Sequence, residues 1–114
     1  MIRKENEITP QIKQGLRGGV GEATMKYLLS PEENAFHCGM AAHITLAPGS
    51  SIGAHDHVTD AELYYILSGK AMANDNGVEV ELSAGDAMWT ANGELHSIRN
   101  HTEEPLVLLA VVTK

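Results

Sequence analysis

Glycine and proline recur so often along this chain that no long regular segment survives between them. Gly15, Gly18, Gly19, Gly21, Pro31, Gly39, Pro48, Gly49, Gly53, Gly69, Gly77, Gly85, Gly93 and Pro105 cut it into pieces about the length of β-strands. The strand-like runs are Glu22–Leu29, Met40–Leu46, Glu62–Leu67, Lys70–Ala73, Val78–Leu82, Ala87–Thr90, Leu95–Arg99 and Leu106–Val112. No window sustains the i, i+3, i+4, i+7 apolar stripe of an amphipathic helix. Residues 3–16 come nearest, and Pro10 interrupts them. Asp75-Asn76-Gly77, between two β-like runs, predicts a hairpin turn, because Asn and Gly tolerate positive φ. Seven or eight short strands with regular turns predict an all-β sandwich or barrel. At 114 residues the chain is one domain, 1–114, with residues 1–21 as a polar, Gly-rich N-terminal arm.

Charge narrows the partners. Eight Lys and Arg against 15 Asp and Glu leave a formal charge of −7, which argues against a general electrostatic grip on nucleic acid or an anionic membrane. The single Cys38 excludes an internal disulfide and suits a reducing compartment. The opening MIRKENEITP has no apolar core of the kind a signal peptide needs, and the longest apolar stretch is Leu106–Val112. The expectation is a cytoplasmic protein.

The candidate chemistry sits on His55, His57, Glu62 and His96. Side chains at i and i+2 of a strand leave from one face, so His55 and His57 point their imidazoles to the same side. Glu62 lies five residues after His57 and would face the other way on an unbroken strand. Residues 58–61 must therefore bend or bulge for its carboxylate to join them. Beyond the bend, Glu62, Tyr64 and Ile66 share one face. His96 arrives from a neighbouring strand entered through Asn92-Gly93. Three imidazoles and one carboxylate suit a divalent transition metal (Mn, Fe, Ni, Co or Zn) and leave coordination positions open for a ligand.

These residues resemble the two motifs of the cupin superfamily. The first is Gly49, five residues, His55-x-His57, four residues, Glu62, six residues, Gly69. The second is Gly85, five residues, Ala91, one residue, Gly93, two residues, His96, three residues, Asn100, with Ala91 where the family usually has proline. The motif region is 49–100, with 15 residues between its halves, room for one hairpin. The resemblance implies a double-stranded β-helix, the jelly-roll barrel, with one metal inside. It also implies a homodimer, often formed by laying an N-terminal segment against the partner, and residues 1–21 suit that role. The short form looks most like the oxalate-decarboxylase-like single cupins, and manganese is among the expected ions. Oxalate-degrading members carry an arginine three residues before the first ligand histidine, where this chain has Ile52. They also use a lid glutamate well beyond the last histidine, and here 18 residues follow His96.

Other residues carry less. Tyr64 is expected inside the barrel by its parity with Glu62. His43, at an alternate position of Met40–Leu46, and Trp89 are further candidates to face a substrate, against a surface or packing role for each. Arg99 is expected on the outer face, three residues after His96. Gly18-Gly19-Val20-Gly21 has neither the lysine nor the following helix of a phosphate loop. Two function classes lead, ahead of a structural cupin with an incidental metal. One is a metal-dependent enzyme acting on a small organic acid or carbonyl compound, by decarboxylation, isomerisation, lyase chemistry or dioxygenation. The other is a non-catalytic module that binds or senses a metal and a small ligand.

Overall fold

Alternation of more and less buried side chains along the central strands builds two facing antiparallel sheets. A computed structural model describes residues 1–114. The ten strands are β1 (Gln11–Gln14), β2 (Glu22–Tyr27), β3 (Cys38–Leu46), β4 (Ser51–Asp56), β5 (Ala61–Ser68), β6 (Lys70–Asp75), β7 (Val78–Ser83), β8 (Ala87–Thr90), β9 (Leu95–Arg99) and β10 (Leu106–Thr113). One sheet runs β1-β2-β3-β10-β5-β8 and the other β4-β9-β6-β7. This is the double-stranded β-helix. No helix is long and apolar enough to cross a membrane.

The core lies between the sheets. Ala42, Ile44 and Leu46 from β3 meet Leu106, Leu108 and Ala110 from β10, with Tyr64 and Ile66 from β5 and Ile52 and Ile98 from the smaller sheet. Hydrophobic burial of this kind is the main stabilising term for a β-barrel of this size. Asn100 ties the end of β9 into the barrel. Its buried amide donates to the carbonyls of Leu46 (3.0 Å) and Glu104 (2.7 Å), and its oxygen accepts from the Thr102 N–H (3.0 Å). Between β6 and β7, Asn76 and Gly77 take φ of 50° and 97°, the two-residue turn whose twist matches a hairpin.

Each strand-like run read from the sequence falls on a strand, although Glu22–Leu29 overshoots β2 by two residues, and two strands escaped that reading. β1 falls inside the stretch that came nearest to a helix. It pairs with β2 of the same chain, so residues 11–14 of the arm form an edge of the larger sheet. β4 carries His55, with His57 just beyond its end, and contains a bulge. Ile52 pairs with Ile98 and His55 with His96, so three steps on β4 match two on β9. The extra residue turns both Ile52 and His55 toward the interior.

Candidate metal centre

His55, His57, Glu62 and His96 converge, with one ligand atom from each lying within 4.8 Å of the others. His55 and His96 face each other across β4 and β9. Glu62 comes from the opposite sheet. The bend required at residues 58–61 is a crossover: the chain leaves β4 in one sheet and enters β5 in the other. The carboxylate therefore closes the cluster from across the barrel.

The distances are those of donors around a common cation. His96 Nε2 lies 2.9 Å from His55 Nε2 and 3.2 Å from His57 Nε2. Glu62 Oε1 lies 3.1 Å from His96 Nε2, 3.2 Å from His57 Nε2 and 3.5 Å from His55 Nε2. Two donors at right angles on an ion with bonds of ~2.1 Å stand ~3.0 Å apart.

The outer nitrogens say the same. His55 Nδ1–H donates to the Gly53 carbonyl (2.8 Å) and His57 Nδ1–H to Asp60 Oδ1 (2.7 Å). Both acceptors lack a hydrogen of their own, so they fix the tautomer and aim the Nε2 lone pair inward. His96 Nδ1 is 2.8 Å from Thr90 Oγ1, where the hydroxyl accepts in the same tautomer. Three inward lone pairs this close repel one another unless a cation or proton lies between them. The donor set thus fits a divalent transition metal.

Electrostatics follow from burial and neighbours. With no ion bound and a proton on the ring Nε2 atoms instead, burial pushes the Glu62 carboxyl up, but hydrogen bonds from His55 and His96 and the nearby imidazoles outweigh it and hold the group at about 2. For His55 burial works downward, and Glu62 with the Gly53 carbonyl carries the ring above its ordinary value. Tyr64 is held well above its ordinary range, first by burial and then by the charge of Glu62, so its hydroxyl stays protonated. Its ring stacks on His96, with centroids 4.8 Å apart and planes 12° from parallel.

A cavity of about 300 Å3 opens onto the cluster, lined by His55, His57, Glu62 and Tyr64 with Ile44 and Ile52 among its apolar walls. A larger one of about 620 Å3 lies beside it under the N-terminal arm. The two share Tyr27, Gly39 and Met40, but the larger holds none of the four candidate ligands.

Two expected cavity residues lie elsewhere. Trp89 is 55% exposed on the outer face of the larger sheet, because Met88 and Thr90 take the two inward positions of β8. His43 is flanked by the inward Ala42 and Ile44 and so turns to the same outer face. The sequence reading also missed Asp60, Thr90 and the Gly53 carbonyl. Asp60, three residues beyond a candidate ligand, was the one of these with a local signal. Arg17 was missed as well, and it lines the cavity from the glycine-rich segment.

The sequence matches the cupin domain family over residues 42–112. The chain belongs to the cupin family. Among its cupin relatives is an oxalate-binding protein of Thermotoga maritima, 43% identical over 112 residues, a match covering 98% of this chain and 93% of the relative. The crystal structure of a predicted oxalate decarboxylase from Thermotoga maritima superposes with a TM-score of 0.93 at 42% identity, covering 99% of this chain and 98% of that one. A cupin barrel protein from Salinispora arenicola shares the fold at a TM-score of 0.77 and 23% identity, over 100% of this chain and 88% of that one.

Proposed function

We propose that this cupin holds one divalent transition ion on His55, His57, Glu62 and His96 and uses it to bind a small organic acid. Oxalate is the first ligand to test and manganese the first ion. The observation that carries this reading is the convergence of three Nε2 atoms and one carboxylate oxygen, each ring locked from behind. A bound ion short of its full ligand count supplies Lewis acidity and a place for a carboxylate oxygen. The three imidazoles stay neutral as donors, and Glu62 contributes a single negative charge, leaving the centre cationic toward an anion. Ile44, Ile52 and Val112 give the cavity apolar walls, which strengthen that attraction by excluding water. The name of the Thermotoga maritima relative supports the choice of oxalate.

Turnover is the second reading, whether by decarboxylation, isomerisation, lyase or dioxygenase chemistry. The description of the similar Thermotoga maritima structure favours it. Binding is preferred because the cavity offers little spare proton chemistry. Asp60 is engaged by His57, and the Tyr64 hydroxyl is held protonated. Titration calorimetry with oxalate separates the readings when run beside a product assay. We expect saturable binding to the manganese-loaded protein, none to the metal-free protein, and no product. Product release that needs the metal would establish turnover instead, and absence of binding and product together would remove both.

A homodimer belongs to the same proposal. Glu62 is the only Asp, Glu, Lys or Arg in β3, β10, β5 and β8, and it faces inward. Their outer face presents His43, Leu63, Tyr65, Leu67, Trp89 and Leu109 without a charge, in a chain of net charge −7. Two copies can approach there without like-charge repulsion, and an isologous pair would bury Trp89 twice. Light scattering should give twice the 12.3 kDa chain mass. Trp89→Asp should give monomers that keep their metal. A wild-type monomer at tens of micromolar would reject the dimer. Cytoplasmic localisation remains part of the proposal, supported by the free Cys38.

A further inference from the structure

Arg17 occupies a position where the backbone disfavours an arginine. Its φ of 54° and ψ of 32° lie in the left-handed region, where a side chain strains against the following carbonyl. Gly15 and Gly18 on either side have φ of 61° and 78°, and glycine at position 17 would carry no such strain. The segment is held against the barrel. The Ser51 N–H donates to the Val20 carbonyl (2.7 Å) and the Gly15 N–H to the Gly21 carbonyl (3.1 Å). Gly19 and Gly53 let the two backbones touch, since a Cβ on Gly53 would stand 2.1 Å from the Arg17 carbonyl oxygen.

Arg17, an exposed residue on this held backbone, lines the same cavity as His55, His57 and Glu62. The chain has three arginines. Arg3 pairs with Glu33 and Arg99 with Glu79, whereas Arg17 has no carboxylate partner. No Lys and no other Arg lines the cavity. Its two acidic groups are already engaged, Asp60 by His57 and Glu62 by the three histidines. Ile52, which stands where the family resemblance would put an arginine, is an apolar wall, 2% exposed.

We infer that Arg17 is a specificity-determining residue, which receives the second carboxylate of a small dicarboxylate whose first carboxylate is held at the histidine–glutamate cluster. The inference rests on reading that cluster as a metal-dependent carboxylate site. A guanidinium presents paired N–H donors that match a carboxylate, and such charge-assisted bonds are the strong ones. A backbone strain that glycine would relieve, retained on a clamped segment at the cavity, is the pattern of a side chain kept for recognition.

The test uses the full chain loaded with manganese and titrated with oxalate, malonate, succinate and acetate. Arg17→Gln and Arg17→Gly should weaken the best-bound dicarboxylate about tenfold or more. Acetate and manganese affinity should not change. Arg17→Lys should fall between, since it keeps the charge and loses the fork. Arg17→Gly should also unfold at a temperature equal to or above wild type, because it releases the left-handed strain. Dicarboxylate affinity unchanged in Arg17→Gly would overturn the inference and leave the metal-site reading standing. Loss of manganese affinity and stability in parallel with the dicarboxylate would make Arg17 structural and overturn it as well. A wild-type protein that binds manganese but no carboxylate would overturn the site reading, and the inference with it.

Discussion

His96→Ala should lose manganese binding by more than about 100-fold while the barrel stays folded. Substituting a residue that merely orients a metal ligand typically costs about 10- to 100-fold in affinity, and removing the ligand costs more. His96 stands nearest the middle of the cluster, within 3.2 Å of both other imidazole nitrogens and of the Glu62 carboxylate. Its loss opens a gap the remaining three cannot close, because the outer nitrogens of His55 and His57 are tied to the Gly53 carbonyl and Asp60, and the Glu62 backbone is paired with β10 and β8. The folding cost should be smaller. The ring is buried and stacks on Tyr64, so its removal leaves a cavity worth about 2–3 kcal/mol. Part of that is returned in the metal-free protein, where the inward lone pairs no longer crowd. Metal content by mass spectrometry after dialysis and urea unfolding of metal-free protein separate the two effects. A His96→Ala protein that retains one ion per chain at wild-type affinity would remove the proposed centre. Protons compete for the same nitrogens, so wild-type affinity should weaken as pH falls through the imidazole range.

The histidines could be found from the sequence because their spacing carries the chemistry: an i, i+2 pair and a later histidine in a second motif. Glu62 showed that the chain must turn, since its odd spacing forbids a plain strand. How it turns was not legible. A bulge and a crossover between sheets both satisfy the parity, and only the pairing of β5 with β8 and β10 decides between them. The bulge on β4 lay hidden for a related reason. Ile52 and His55 differ by an odd number, and no local signal says that both face inward. Trp89 and His43 failed on the same point. In a strand as short as Ala87–Thr90 either parity is plausible until Thr90 is seen to meet His96. β1 has almost no apolar pattern, with an exposed Ile12 between polar neighbours, and its pairing with β2 is a long-range fact.

Gly53→Ala should be among the most disruptive single-methyl changes in the chain, although Gly53 belongs to neither family motif. The added Cβ would stand 2.1 Å from the Arg17 oxygen and 2.8 Å from the Gly19 nitrogen. Both are backbone atoms, so no side-chain rotation relieves the clash. A methyl and a carbonyl oxygen need more than about 3 Å, so the glycine-rich segment must lift by roughly 1 Å or more. That strains the bonds joining Ser51 to Val20 and Ser50 to Glu22, and we expect a loss of about 2–4 kcal/mol in urea unfolding. Two functional losses should accompany it. The Gly53 carbonyl that orients His55 would shift, weakening manganese binding by about tenfold. Arg17 would move with its segment, so dicarboxylate affinity should fall further than metal affinity. Gly49→Ala is the control. Gly49 is a motif glycine with φ of 78° and nothing within 4 Å of its missing Cβ, so the substitution should cost about 1 kcal/mol of left-handed strain and leave both affinities intact. If the two variants lose stability equally, the close approach of the segment to β4 is not what holds Arg17 at the cavity.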